Sequence, residues 1–184
     1  CPLPKQEPWL LTACRLAAPK DLATVLHAFK SCAQQARLIV LGDGPQLSEW
    51  QALTQQLGLC ERVTWAGFQS NPYPWIAQAD ICLLSSRTEG LSNFIIEAMA
   101  LERTVLATDC PTGPGEIIQH QHNGYLVPVA DVAAFAHALD ELLHNSVLRQ
   151  QLSQAGLQRA QAFALETMVQ KYEDLWLQGL ARTE

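Results

Sequence analysis

Two carboxylates, Glu89 and Glu97, bracket seven residues in Glu89-Gly90-Leu91-Ser92-Asn93-Phe94-Ile95-Ile96-Glu97-Ala98-Met99-Ala100. The first follows an apolar run, Ile81-Cys82-Leu83-Leu84. The second falls about one turn into a stretch with helical periodicity. A Gly-Leu-Ser-Asn turn between them sets both around a helix N-terminus, whose free N–H groups favour anions. Carboxylates accept hydrogen bonds from hydroxyls. A ligand with phosphates and hydroxyls, such as a nucleotide sugar, suits that pairing. The plainer alternative is a loop Glu and a helix-surface Glu, with Ser92 or Asn93 serving only as an N-cap.

Arg15 follows the first apolar run and Lys20 stands at the start of the next helix. Two cations at a strand end can clamp a diphosphate, Arg through its planar fork and Lys as a point charge; the alternative is two solvated loop cations. Thr108-Asp109-Cys110-Pro111-Thr112-Gly113-Pro114-Gly115-Glu116 reads either as a rigid strand-to-helix turn or as a place where backbone approaches a ligand closely. Gly42-Asp43-Gly44-Pro45 reads first as a turn. No G-x-G-x-x-G, P-loop or G-x-S-x-G motif occurs. His120 and His122 read as solvated rather than as a metal pair.

The elements that must position these residues alternate strand and helix. Strands are expected at 9–14, 38–42, 62–66, 81–84, 104–107 and 125–127. Helices are expected at 21–33, from 44 to 58, at 75–78, around Glu97, from 115, at 131–144, at 147–161 and from about 165. The last puts Met168, Tyr172, Leu175 and Trp176 on one face. Strands apolar on both faces belong to parallel sheets covered by helices. The alternation predicts a Rossmann-like, doubly wound α/β layer of about six strands with a helical C-terminal tail. In such a layer, ligands bind beyond the strand C-terminal ends, where every motif above lies.

The 184 residues fit one domain, with 48% hydrophobic and 16% charged residues. A net charge of −6 argues against general nucleic-acid binding. The six scattered cysteines lack any C-x-x-C pair and predict a reduced, cytoplasmic protein without a disulfide framework. No membrane-spanning run or signal peptide is visible. The start at Cys1, followed by Pro2, Pro4 and Pro8, reads as a linker over 1–8 into a domain at 9–184, and so as a piece of a longer protein.

Together these motifs resemble the C-terminal, donor-binding domain of the retaining GT-B glycosyltransferases of family 4, from about Trp9 to Gly179. The most specific part is the E-x7-E stretch. Arg15-Leu16 with Lys20, Gly42-Asp43-Gly44-Pro45, Val63 to Phe68, the 108–116 loop and His122 to Pro128 support it. The resemblance implies one half of a GT-B fold and catalytic roles for Arg15, Lys20 and Glu89. The two cations would hold the diphosphate of a UDP- or GDP-sugar, and Glu89 would contact the transferred sugar. Glu97 would bind the ribose hydroxyls. Gly90, Leu91, Ser92 and Asn93 would meet phosphate or sugar, with the base near Gly67 and Phe68. No metal and no further cofactor are implied. The acceptor would be a glycan or lipid-linked molecule held by an N-terminal domain outside this chain, in polysaccharide or lipopolysaccharide biosynthesis, with peripheral membrane contact of the longer protein. Two departures stand out: Cys14 where the family has glycine, and Gly115 where a larger residue is common. A non-catalytic nucleotide-sugar-binding module and a GT-B-type epimerase remain alternatives.

Overall fold

A computed structural model describes residues 5–181, with side chains described to Leu177. Six strands, β1 (Trp9–Ala13), β2 (Arg37–Leu41), β3 (Val63–Gly67), β4 (Ile81–Leu84), β5 (Thr104–Thr108) and β6 (Tyr125–Val127), form one sheet. Every pairing is parallel and the order is β3-β2-β1-β4-β5-β6. Successive strand side chains enter opposite cores, the period of two expected of a pleated strand. Leu10, Leu38, Val40, Ile81, Leu83 and Leu106 enter one core, beneath α1 (Leu22–Ser31), α2 (Leu47–Gln56) and α6 (Val132–His144). Trp9, Leu11, Ile39, Cys82, Leu84 and Val105 enter the other, beneath α3 (Tyr73–Ile76), α4 (Asn93–Ala100) and α5 (Pro114–Ile117). The helix α7 (Ser146–Ala160) lends Leu152 to the first core and Ala160 to the second.

This architecture positions the site by its topology. The strands β1 and β4 are neighbours at the centre of the sheet, yet α1 packs on one face and α4 on the other. The loops leaving β1 and β4 therefore diverge, which opens a crevice at the strand C-terminal ends. Arg15 and Lys20 lie in one of these loops, Glu89 to Ser92 in the other.

Two helix starts and the setting of the last helix differ from the sequence expectation. The first helix begins at Leu22, because Ala18–Lys20 form a 3-10 turn and Asp21 adopts a left-handed backbone with φ of 44°. The second begins at Leu47 rather than Gly44. A Cβ on Gly44 would lie 2.3 Å from the Leu16 carbonyl oxygen, so the chain there is a tight turn pressed onto the β1–α1 loop. The last helix, α8 (Leu165–Ala181), forms as expected, but its apolar face points outward: Tyr172, Leu175 and Trp176 are 61%, 62% and 71% exposed. Cys14, Cys32, Cys60, Cys82 and Cys110 are free thiols, while Cys1 lies outside the described residues, as does part of the 1–8 segment. Within that segment Lys5 pairs with Asp80 at 2.8 Å, and Glu7 accepts from Arg37 at 2.9 Å.

Candidate functional site

The crevice is stapled across its floor. The Ser85 hydroxyl donates to the carbonyls of Lys20 (2.9 Å) and Asp21 (3.0 Å), and the Arg87 N–H donates to the Pro19 carbonyl (2.8 Å). Arg87 Nε also donates to the largely buried Asp21 carboxylate at 2.9 Å. Above this floor the Lys20 ammonium contacts Glu89 Oε1 at 2.5 Å, and the Ser86 hydroxyl donates to the same oxygen at 2.6 Å. Residues about seventy positions apart in sequence thus form one rigid polar unit. Sequence reasoning reached Lys20 and Glu89 but missed Asp21, Ser85, Ser86 and Arg87. The available signal was two adjacent hydroxyls closing an apolar strand at a strand C-terminal end.

Beside this unit lies an open cavity of about 740 Å³, lined in part by Arg15, Gly42, Asp43, Phe68, Phe94 and Glu97. Neither Lys20 nor Glu89 lines it. The two cations therefore do not share one wall: Arg15 faces the cavity with Glu97, and Lys20 meets Glu89. The strand β3 ends at Gly67 with φ of 68°, and the next residue, Phe68, is 77% exposed at the cavity. Partial burial pushes the Glu97 carboxyl above its ordinary range, and a hydrogen bond from Tyr73 opposes that rise.

Between the two compartments stands the N-terminus of α4. Ser92 is buried at the N-cap, but its side chain makes no capping bond. Its carbonyl accepts from Ile95 and Ile96, while the N–H groups of Asn93 and Phe94 bond to no described residue. Gly90, Leu91 and Asn93 are exposed around this end. The arrangement offers oriented N–H donors to an anion, with Phe94 and Arg15 both lining the cavity and Lys20 held on Glu89.

The 108–116 loop packs on Glu89 and Gly90. Gly113 has φ of 89°, and a Cβ there would lie 1.9 Å from the Gly90 carbonyl oxygen. Thr112 donates its hydroxyl to the Glu89 carbonyl. Its glycine at 113 is thus required by close approach to protein backbone. Glu116 accepts from the Gly113 N–H at 3.1 Å and closes the turn. At Gly115 a Cβ would stand 3.0 Å from Asp109 Oδ1, so a larger residue would displace that carboxylate. The close backbone approach near residue 14 is supplied by Gly42, whose Cβ would meet the Cys14 carbonyl oxygen at 1.9 Å. Burial pushes the Cys14 thiol up to about 11, so it stays neutral at ordinary pH. Among the described residues no group of three or more His, Cys, Asp or Glu is placed to hold a metal ion. His120 accepts the Leu126 N–H through Nδ1 at 3.1 Å.

Residues 7–145 match the family model described as glycosyl transferases group 1. The chain belongs to this family. A Campylobacter jejuni enzyme is 30% identical over 158 residues, covering 86% of this chain and 43% of its own length. Its name describes transfer of N-acetylgalactosamine to a diphospho-undecaprenol-linked sugar. The lipopolysaccharide 1,6-galactosyltransferase of Escherichia coli (strain K12) is 34% identical over 134 residues, 70% of this chain and 37% of that protein. The fold matches Anabaena HepE, solved in complex with UDP, with a TM-score of 0.89 at 22% identity, over 94% of this chain and 49% of that one. The chain spans less than half the length of each of these relatives. Among the described residues no helix is long and apolar enough to cross a membrane.

Proposed function

We propose that this chain is the donor-binding half of a retaining glycosyltransferase that uses a UDP- or GDP-sugar. The reading rests on one juxtaposition: a hydroxyl-binding carboxylate in a cavity, an open helix N-terminus and a Lys–Glu pair, in that order along one crevice. The nucleoside occupies the cavity, with its base near Gly67 and Phe68 and its ribose hydroxyls donating to Glu97. The diphosphate sits on the N–H groups at the start of α4. Arg15 approaches from the cavity side and Lys20 from the other. An ammonium has three N–H donors, so Lys20 can hold Glu89 and a phosphate oxygen at once. These cations and amides stabilise the charge that grows on the departing nucleotide, and do so without a metal. Glu89 meets the transferred sugar.

The acceptor, a glycan or lipid-linked molecule of cell-surface polysaccharide or lipopolysaccharide synthesis, is held by a second domain at the cytoplasmic side of the membrane. The exposed apolar face of α8 packs against that domain. Alone, the chain binds donor nucleotide without rapid turnover. Calorimetric titration of UDP, UDP-glucose, GDP and GDP-mannose in EDTA tests this. One nucleotide pair binds, and Glu97→Ala weakens it about tenfold or more, as loss of a hydrogen bond to a charged group predicts. Absence of binding to every probe overturns the reading, and fast turnover by the 184 residues alone overturns the division of labour.

A further inference from the structure

We propose that Ser86 is a positioning residue that fixes Glu89 for its contact with the donor sugar. The proposal rests on the reading above. Ser86 is the second residue after β4 and is fully buried. A buried hydroxyl retains a partner because leaving it unpaired is costly. Its partner here is Glu89 Oε1, at 2.6 Å. The Ser86 carbonyl is itself held, accepting from the fully buried Thr108 hydroxyl at 2.5 Å. The chain Thr108–Ser86–Glu89 therefore ties the carboxylate to the C-terminal ends of two paired strands, β4 and β5.

The consequence is an asymmetric carboxylate. Oε1 is taken by two donors, Lys20 and Ser86, while Oε2 receives no hydrogen bond from any described residue. Lys20 alone cannot fix the orientation. It sits on a flexible four-carbon stem, and its charge is wanted by the diphosphate as well. Ser86 has a short, buried side chain with one torsion to set. With Lys20 shared between Glu89 and phosphate, Ser86 keeps Oε1 in place and Oε2 facing the sugar.

The test compares each nucleotide with its sugar conjugate. UDP, UDP-glucose, UDP-galactose, UDP-N-acetylglucosamine, GDP and GDP-mannose are titrated into the full chain as wild type, Ser86→Ala, Glu89→Ala and the double variant. Circular dichroism checks each fold. The readout is the ratio of Kd for the bare nucleotide to Kd for its sugar conjugate. Ser86→Ala is expected to leave the bare nucleotide within about twofold and to change the ratio about tenfold, the scale of a hydrogen bond to a charged group. On the Glu89→Ala background, which removes the acceptor, it should change neither, because Ser86 acts only through that carboxylate. Equal losses for nucleotide and conjugate, an unchanged ratio, or additive effects in the double variant each overturn the proposal. So does a wild type that binds nucleotide and conjugate identically. A wild type that binds none of the six overturns instead the donor-site reading beneath it.

Discussion

Gly113→Ala is the sharpest perturbation the structure offers. The new Cβ would stand 1.9 Å from the Gly90 carbonyl oxygen and 3.2 Å from Glu89 Cβ. Real Cβ atoms essentially never come within 3.0 Å of such an atom, so the two loops must separate by about 1.1 Å. The backbone at 113, with φ of 89° and ψ of −81°, adds strain, because an L side chain rarely adopts it. Strain of this kind costs about 1–3 kcal/mol. For a chain of this size each 1 kcal/mol lowers Tm by about 2–4 °C, so a fall of roughly 2–12 °C is expected. Function should suffer more than stability. The displaced segment carries Glu89, so a sugar conjugate should lose more affinity than the bare nucleotide. Gly90→Ala is the control: its Cβ would meet nothing within 4 Å and its φ is unstrained, so Tm should hold. Differential scanning calorimetry and donor titration on both variants provide the assay. A Gly113→Ala protein that melts and binds like wild type, or a Gly90→Ala protein that loses more Tm than Gly113→Ala, would refute the close loop contact.

Two further outcomes can be checked. Burial raises the Glu97 carboxyl, so stability falls as pH rises from the ordinary carboxyl range through that raised value, and the full penalty stands above it. Glu97→Gln should therefore melt slightly higher than wild type at pH 7, with the advantage shrinking at acid pH, while nucleotide binding weakens; a melting series across pH reads the sign. Leu175→Ser with Trp176→Ser should leave Tm of this chain unchanged within about 2–4 °C, since each surface substitution stays within about 0.5 kcal/mol and both side chains are more than 60% exposed. A large fall would mean that α8 is packed rather than open.

The sheet was legible in the sequence because a strand buried on both faces must be written as a continuous apolar run. Leu38 to Leu41 and Ile81 to Leu84 have no competing reading, and all six strands lie within about a residue of expectation. Glu97 and Phe68, which the family resemblance singled out, line one cavity at the strand C-terminal ends. What stayed hidden was pairing at long range. Nothing local in Ser85-Ser86 reveals hydrogen bonds to Asp21 or Lys20, 64 and 65 residues earlier. Nor does Pro111-Thr112-Gly113 reveal that its glycine serves a close approach to Gly90. Nor does the sequence show how Arg15 and Lys20 are disposed: Arg15 lines the cavity and Lys20 pairs with Glu89. Arg15 and Lys20 are close in sequence, but a 3-10 turn at Ala18–Lys20 separates them onto different walls.

The strand order also fixes when the crevice can exist. The central strand β1 is the first described strand in the chain, yet its neighbour β4 arrives about seventy residues later. During synthesis, at roughly 5–20 residues per second, Trp9 and Leu11 wait several seconds for the partners that bury them. The α6 residues Phe135 and Leu139, which close the opposite core, come later still. Closing such long loops must be met before their contacts repay it, which slows folding. Nascent chains halted before β4 should therefore expose an apolar central strand with an open edge, a natural client for chaperones, and ligand binding should be among the last properties gained on refolding.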